Sequence, residues 1–148
     1  MRSFSKNRQI LLGILTVLMI APPILAHEIK VSGDVAALIH IDPDDHLVAR
    51  VTSKVWFALS KIGGKSIPLS HCDCHLTVYV IPRQKDKTPL LLRPILKSID
   101  VESYHGVASA LITFPKAGLY ELELTGKALS GEVFPPFKLT YEVTVSSN

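Results

Sequence analysis

The sequence predicts an all-β fold, an immunoglobulin-like antiparallel β-sandwich of about seven strands that follows an N-terminal signal peptide. Three observations predict it. Short runs rich in Val, Ile, Leu, Thr and aromatic residues recur from Ile29 to the C-terminus, separated by clusters of Gly, Pro, Asp and Ser. The late runs alternate apolar and polar residues with the period of a half-buried strand. No stretch after the export signal carries the period of an amphipathic helix, and no internal repeat or low-complexity tract is present.

In chain order, the strands are expected near Ile29 to Val31, Val35 to Ile41, Lys54 to Leu59, Cys74 to Ile81, Ala108 to Phe114, Gly118 to Thr125 and Phe137 to Val145. From Leu119 to Thr125, Tyr120, Leu122 and Leu124 share one face, with Glu121 and Glu123 on the other. From Phe137 to Val145 every odd position is apolar and every even one polar. Gly63-Gly64 can close a hairpin after Phe57-Ala58-Leu59, and Pro115-Lys116-Ala117-Gly118 can turn Phe114 into Leu119. Pro135-Pro136 is a stiff connector into the last strand, whereas Arg83 to Thr88 reads as a mobile polar loop. Leu90 to Lys97 forms at most a short turn broken by Pro94.

Residues 1–26 read as the export signal. Arg2, Lys6 and Arg8 precede a continuous apolar run, Pro22-Pro23 ends any helix, and Ala26 offers a small residue before the cut, leaving residues 27–148 as one sandwich domain that begins at His27. The rival is an uncleaved anchor, which needs about 20 spanning apolar residues and is interrupted too early by the prolines. The destination is the periplasm or the exterior.

The signal also accounts for the apparent basicity. The precursor carries 16 basic and 13 acidic residues. The three basic residues of the signal are the whole excess, so the mature chain is neutral and has no Lys and Arg cluster interleaved with aromatics. Nucleic acid and anionic membrane surfaces are therefore excluded as expected partners, and with cleavage no stable membrane span remains. Enzyme motifs are absent too: there is no GxSxG elbow, HExxH pair or phosphate-cradling glycine loop, so no catalytic residue is assigned. Trp56-Phe57 falls in a central strand and reads as core, with an apolar docking surface for another envelope protein as the alternative.

Metal chemistry is the exception. Ser70-His71-Cys72-Asp73-Cys74-His75 packs two thiols, two imidazoles and a carboxylate, ligand types for copper or zinc, into one short segment. In an extended strand His71, Asp73 and His75 point one way while Cys72 and Cys74 point the other, so the five cannot share one ion without a bulge. The thiols belong at the inner rim of the sandwich and the imidazoles on its surface. Three fates are open to the cysteines: thiolate ligands for Cu(I), a disulfide whose small ring conflicts with preferred geometry, or two small buried residues beside solvated histidines.

Two further sets hold candidate ligands. Cleavage after Ala26 would give His27 a free α-amino group beside its imidazole, a chelate suited to Cu(II), although any residue can follow a signal. His40 and Asp42 share a strand face ahead of the acidic turn Pro43-Asp44-Asp45-His46 and could complete a site with His27; such a turn is otherwise simply solvated. His105 reads as a lone loop histidine.

These features together resemble the small periplasmic copper-handling sandwiches of the CopC-like and YtkA/FixH-like kind. The resemblance rests on the signal ending before His27, the strand end His40-Ile41-Asp42, and the pattern Ala117-Gly118-Leu119-Tyr120-Glu121-Leu122 followed by Phe137 to Val145. It implies Cu(II) held by His27 and by Asp42 with His40 or His46. The chain departs from it by adding Cys72 and Cys74, by having only Met1 and Met19, and by offering no distal Asp-x-His motif. The expectation is a non-enzymatic metal-binding protein, a copper carrier or scavenger, with Cu(I) at Cys72 and Cys74, supported by His71 or His75, ahead of Cu(II) at His27. The alternatives are a metal-free interaction domain of the envelope and, less favoured, a secreted copper oxidase.

Overall fold

The computed structural model describes residues 28–83 and 93–148. The signal, His27 and most of the polar loop after Arg83 lie outside the described residues.

Among the described residues ten strands form: β1 (Ile29–Ser32), β2 (Val35–Asp42), β3 (Leu47–Val48), β4 (Thr52–Lys61), β5 (Ser66–Ile67), β6 (Cys72–Val80), β7 (Lys97–Val101), β8 (Tyr104–Thr113), β9 (Gly118–Ala128) and β10 (Phe137–Ser146), with a 3₁₀ turn over Leu69–His71. All seven expected strands are present. The additions are β3, β5 and β7, which are short. Two sheets face each other: a six-stranded one in the order β1-β2-β4-β8-β7 with β5 also on β4, and a four-stranded one in the order β3-β10-β9-β6. Among the described residues only the β3–β10 pairing is parallel.

The connections follow from local chemistry. Gly63 and Gly64 both adopt positive φ between β4 and β5, closing the expected hairpin with Leu59 opposite Ile67. The Pro115–Gly118 turn does not make a hairpin, because β8 and β9 lie in different sheets; it carries the chain across the sandwich. His105 lies within β8 rather than in a loop, 81% exposed.

The core lies between the sheets. Val35, Ala37, Ile39 and Ile41 of β2 and Val55, Phe57 and Leu59 of β4 meet Leu76 and Val78 of β6, Tyr120, Leu122 and Leu124 of β9, and Leu139 and Tyr141 of β10. Full burial of each such side chain contributes about 1.5–3 kcal/mol, so the alternating pattern fixes which face of every strand turns inward. Phe57 and Tyr141 bridge the sheets with ring centroids 5.8 Å apart. Tyr141 also donates its hydroxyl to the Ala37 carbonyl at 2.8 Å, and burial, reinforced by the Glu28 carboxylate, pushes its ionisation well above the ordinary tyrosine range.

A second, smaller cluster sits on the outer face of the six-stranded sheet. Trp56, Ala58 and Val107 are buried there against Leu38, Ile99 and Val101. The alternation of β4 thus separates neighbours, with Phe57 in the main core and Trp56, 1% exposed, on the opposite face.

Candidate functional site

Strand alternation puts His40 and Asp42 on the outer face of β2, next to that cluster. The antiparallel register sets His40 opposite Trp56 and Asp42 opposite Lys54. The imidazole of His40 is 15% exposed, its ring centroid 4.9 Å from that of Trp56. Its Nε2 lies 3.2 Å from Asp42 Oδ1 and its Nδ1 lies 3.5 Å from Asp45 Oδ1. Asp45 adopts φ 53°, which a short polar side chain tolerates, and Asp45 Oδ1 accepts the Ile41 N–H at 2.8 Å. The turn therefore folds back on the strand end and is not merely solvated.

Asp42 is held below its ordinary pKa of 3.8. Burial alone would raise it, but the Lys54 ammonium, 2.6 Å from Oδ2, and His40 outweigh that cost. The Trp56 indole N–H stands close enough to add to this field, yet it is buried and makes no hydrogen bond of ordinary geometry. Lys54 and Trp56 are the partners that sequence reasoning missed at this site, since only the β2–β4 register reveals them.

The Cys72–Cys74 segment forms the first part of β6, which pairs with β9 alone and so lies at the edge of its sheet. The expected alternation holds: Cys72 is 5% exposed, Cys74 packs against the core, and His75 is 70% exposed. His75 Nδ1 lies 3.8 Å from Asp73 Oδ1 on the outer side, whereas His71, in the 3₁₀ turn, pairs through Nδ1 with Glu132 Oε1 at 2.8 Å.

The cysteines are joined to each other as a disulfide. This corrects the preference for Cu(I) at Cys72 and Cys74, because neither sulfur is a thiolate in this oxidation state and the described residues contain no free cysteine. The Cα atoms of the pair stand 5.2 Å apart. Gly126, opposite Cys74 on β9, makes room: a Cβ there would lie 2.7 Å from Cys72 Sγ and 2.6 Å from Phe137 Cζ.

As a staple the bridge is weak. It closes a loop only two residues apart in sequence, worth about 1.6 kcal/mol by loop-closure entropy against about 4.7 for a 100-residue loop. It also joins one strand to itself, along a length that β9 already holds in register.

The remaining histidines do not join these groups. His46 Nε2 meets Ser146 Oγ at 3.1 Å, and His105 Nδ1 lies 3.7 Å from Asp100 Oδ2. Among the described residues no three His, Cys, Asp or Glu side chains are arranged to hold a metal ion. The nitrogen and oxygen donors of His40 and Asp42 suit Cu(II) chemically, but they are two, so an ion there needs donors from elsewhere. Among the described residues, no helix is long and apolar enough to cross a membrane.

No family model matches the chain, and no curated protein matches it. Solved structures do. A DUF4426 family protein from Pseudomonas aeruginosa PAO1 superposes with a TM-score of 0.58 at 8% identity, over 82% of this chain and 96% of that one. FetP of uropathogenic E. coli strain F11, recombinantly expressed in the periplasm, matches with a TM-score of 0.53 at 13% identity, over 81% and 93%. A copper-bound variant of FetP matches with 0.53 at 12%, over 80% and 94%. At such identities the likeness is one of fold, and this chain shares the two-sheet architecture of those proteins.

Proposed function

We propose that this chain is a metal-binding protein of the bacterial envelope, a copper carrier or scavenger rather than an enzyme, and that His40 and Asp42 hold Cu(II) together with His27. The observation that carries this reading is the meeting of His40 and Asp42 at 3.2 Å beside the start of β1. Glu28 offers its carbonyl to the Ile39 N–H at 3.2 Å, and β1 pairs Ile29 with Leu38. His27 directly precedes Glu28 in the chain and lies outside the described residues. Cleavage after Ala26 then supplies an amine and an imidazole, which raise two donors to four. The copper-bound state of FetP, which has the same architecture, supports copper as the cargo, and its periplasmic expression supports the envelope as the compartment.

The protein's own groups prepare the site. Lys54 and His40 keep Asp42 ionised into the acid range, so carboxylate protonation is not what limits binding near neutrality. Imidazole and amine must shed protons to ligate, so uptake weakens as the solution is acidified.

The test is the copper content of the protein with its authentic N-terminus, after equilibration with Cu(II) and removal of the excess. One ion per chain is expected, retained in Cys72→Ser/Cys74→Ser and lost in His40→Ala/Asp42→Asn. Retention in the second variant, or no copper in the wild type, contradicts the reading. The metal-free interaction domain is favoured by a separate observation, an apolar cleft of about 390 Å³ that Ile95, Ile99 and Leu111 form on the six-stranded sheet between Lys54 and Lys97. That alternative predicts no copper in any of these proteins.

A further inference from the structure

The bridge between Cys72 and Cys74 adds little as a staple, yet its two sulfurs are placed very differently. Cys74 lines a cleft of about 620 Å³ at the open side of the sandwich, with Leu69, His75, Leu76, Arg93 and Ile95 among the walls. Cys72 does not line the cleft; it sits deeper, 5% exposed, against Gly126 and Phe137. One sulfur of the pair is thus open to attack and the other is shielded. A bridge that served only packing would not need a cleft at one end.

We infer that Cys72–Cys74 is a thiol–disulfide exchange centre for low-molecular-weight thiols, with Cys74 as the attacked sulfur and Cys72 as the buried leaving group. A thiolate entering the cleft forms a new S–S bond to Cys74 Sγ. The Cys72–Cys74 bond breaks, its electron pair stays on Cys72 Sγ, and that sulfur takes up the proton the attacking thiol gave up. A second thiol then attacks the substrate sulfur of the mixed disulfide, releasing the oxidised substrate and leaving Cys74 as a thiol. The protein disulfide gains two electrons and two protons, and two thiols become one disulfide; the reverse sequence reduces a substrate disulfide.

The surroundings suit both states. Reduced Cys72 is a small apolar residue in an apolar place, the ordinary condition of a buried free cysteine. The β6–β9 ladder, not the bridge, keeps the strand in register, so opening the bridge leaves the sheet intact. Arg93 in the wall favours an acidic thiol such as glutathione. The inference stands independently of copper, because neither sulfur contributes to the site at His40 and Asp42.

The test uses the whole mature chain, metal-free in the presence of a chelator, with glutathione as the probe, alkylation and intact mass as the readout, and Trp56 fluorescence as the check that the protein stays folded. Millimolar glutathione is expected to convert the native wild type to a dithiol that takes two alkyl groups. Offered glutathione disulfide in place of the thiol, folded Cys72→Ser is expected to accumulate one glutathione on Cys74 with release of the other as its thiol, while the lone Cys72 of Cys74→Ser reacts at least about tenfold more slowly. A wild-type disulfide that opens only when the protein is denatured overturns the inference. Equal reactivity of the two single cysteines in folded variants overturns it as well.

Discussion

The outer faces of the two sheets are built to opposite plans. On the four-stranded sheet the outward positions form an ionic net: Arg83 reaches Glu121 and, at 3.1 Å, Glu123, and lies over the Tyr79 ring with its guanidinium carbon 3.4 Å from the centroid, while Lys138 approaches Glu123 at 3.6 Å. Glu121 and Glu123 each have a cation there. On the six-stranded sheet the outward positions bury a tryptophan beside a histidine flanked by two aspartates, one of them paired with Lys54. The difference is one of chemistry: guanidinium, ammonium and carboxylate groups on one face, imidazole and carboxylate donors beside an apolar floor on the other, which is why the proposed copper site is placed on the six-stranded face.

The comparison can be broken by substitution. Trp56→Ala should have the largest effect on stability, about 3–5 kcal/mol in chemical denaturation, because it empties the centre of the outer cluster. A loss below about 1 kcal/mol would show that the outer cluster is not a second core. Gly126→Ala tests the packing around the bridge. Its Cβ would overlap Cys72 Sγ and Phe137, so a loss of about 1–3 kcal/mol is expected.

Arg83→Ala, on the ionic face, should cost no more than about 1 kcal/mol, since its ion pairs are partly open to solvent. The smallest effect concerns acid stability. The folded pKa of Asp42 is depressed, so its contribution is present above the unfolded value near 3.8 and is lost as the pH falls through the lower folded value. Lys54→Ala should therefore lower stability slightly at neutral pH, by about 0.5 kcal/mol or less, and flatten the fall below pH 3.8, so that the variant and wild-type curves converge in strong acid. An unchanged acid limb would refute the role of Lys54.

Much of this arrangement was legible in the sequence, and what was not has a physical cause. Runs of β-forming residues bounded by turn residues located seven strands, and period-2 alternation set the inward faces of β9 and β10, because burial of one face imposes that pattern. β3 and β5 span two residues each, too few to show any period. β7, Lys-Ser-Ile-Asp-Val, is a polar edge strand whose two apolar residues, Ile99 and Val101, pack on the outer cluster and are too few to stand out. The shared face of His40 and Asp42, and the opposed faces of Cys72 and His75, followed from the same alternation. Lys54 and Trp56 did not, since cross-strand partners depend on register. The bond between Cys72 and Cys74 was one of three open fates, because sequence spacing alone cannot tell a closed bridge from two thiols.

The central claim, that the six-stranded face carries the metal, is tested most directly by Cu(II) affinity measured in competition with a chelator for the authentic mature chain, His40→Ala and Glu123→Gln. The account predicts that His40→Ala weakens binding at least about tenfold, equal to about 1.4 kcal/mol, while Glu123→Gln on the ionic face binds as the wild type does. Equal affinity in all three, or a loss in Glu123→Gln alone, would contradict it.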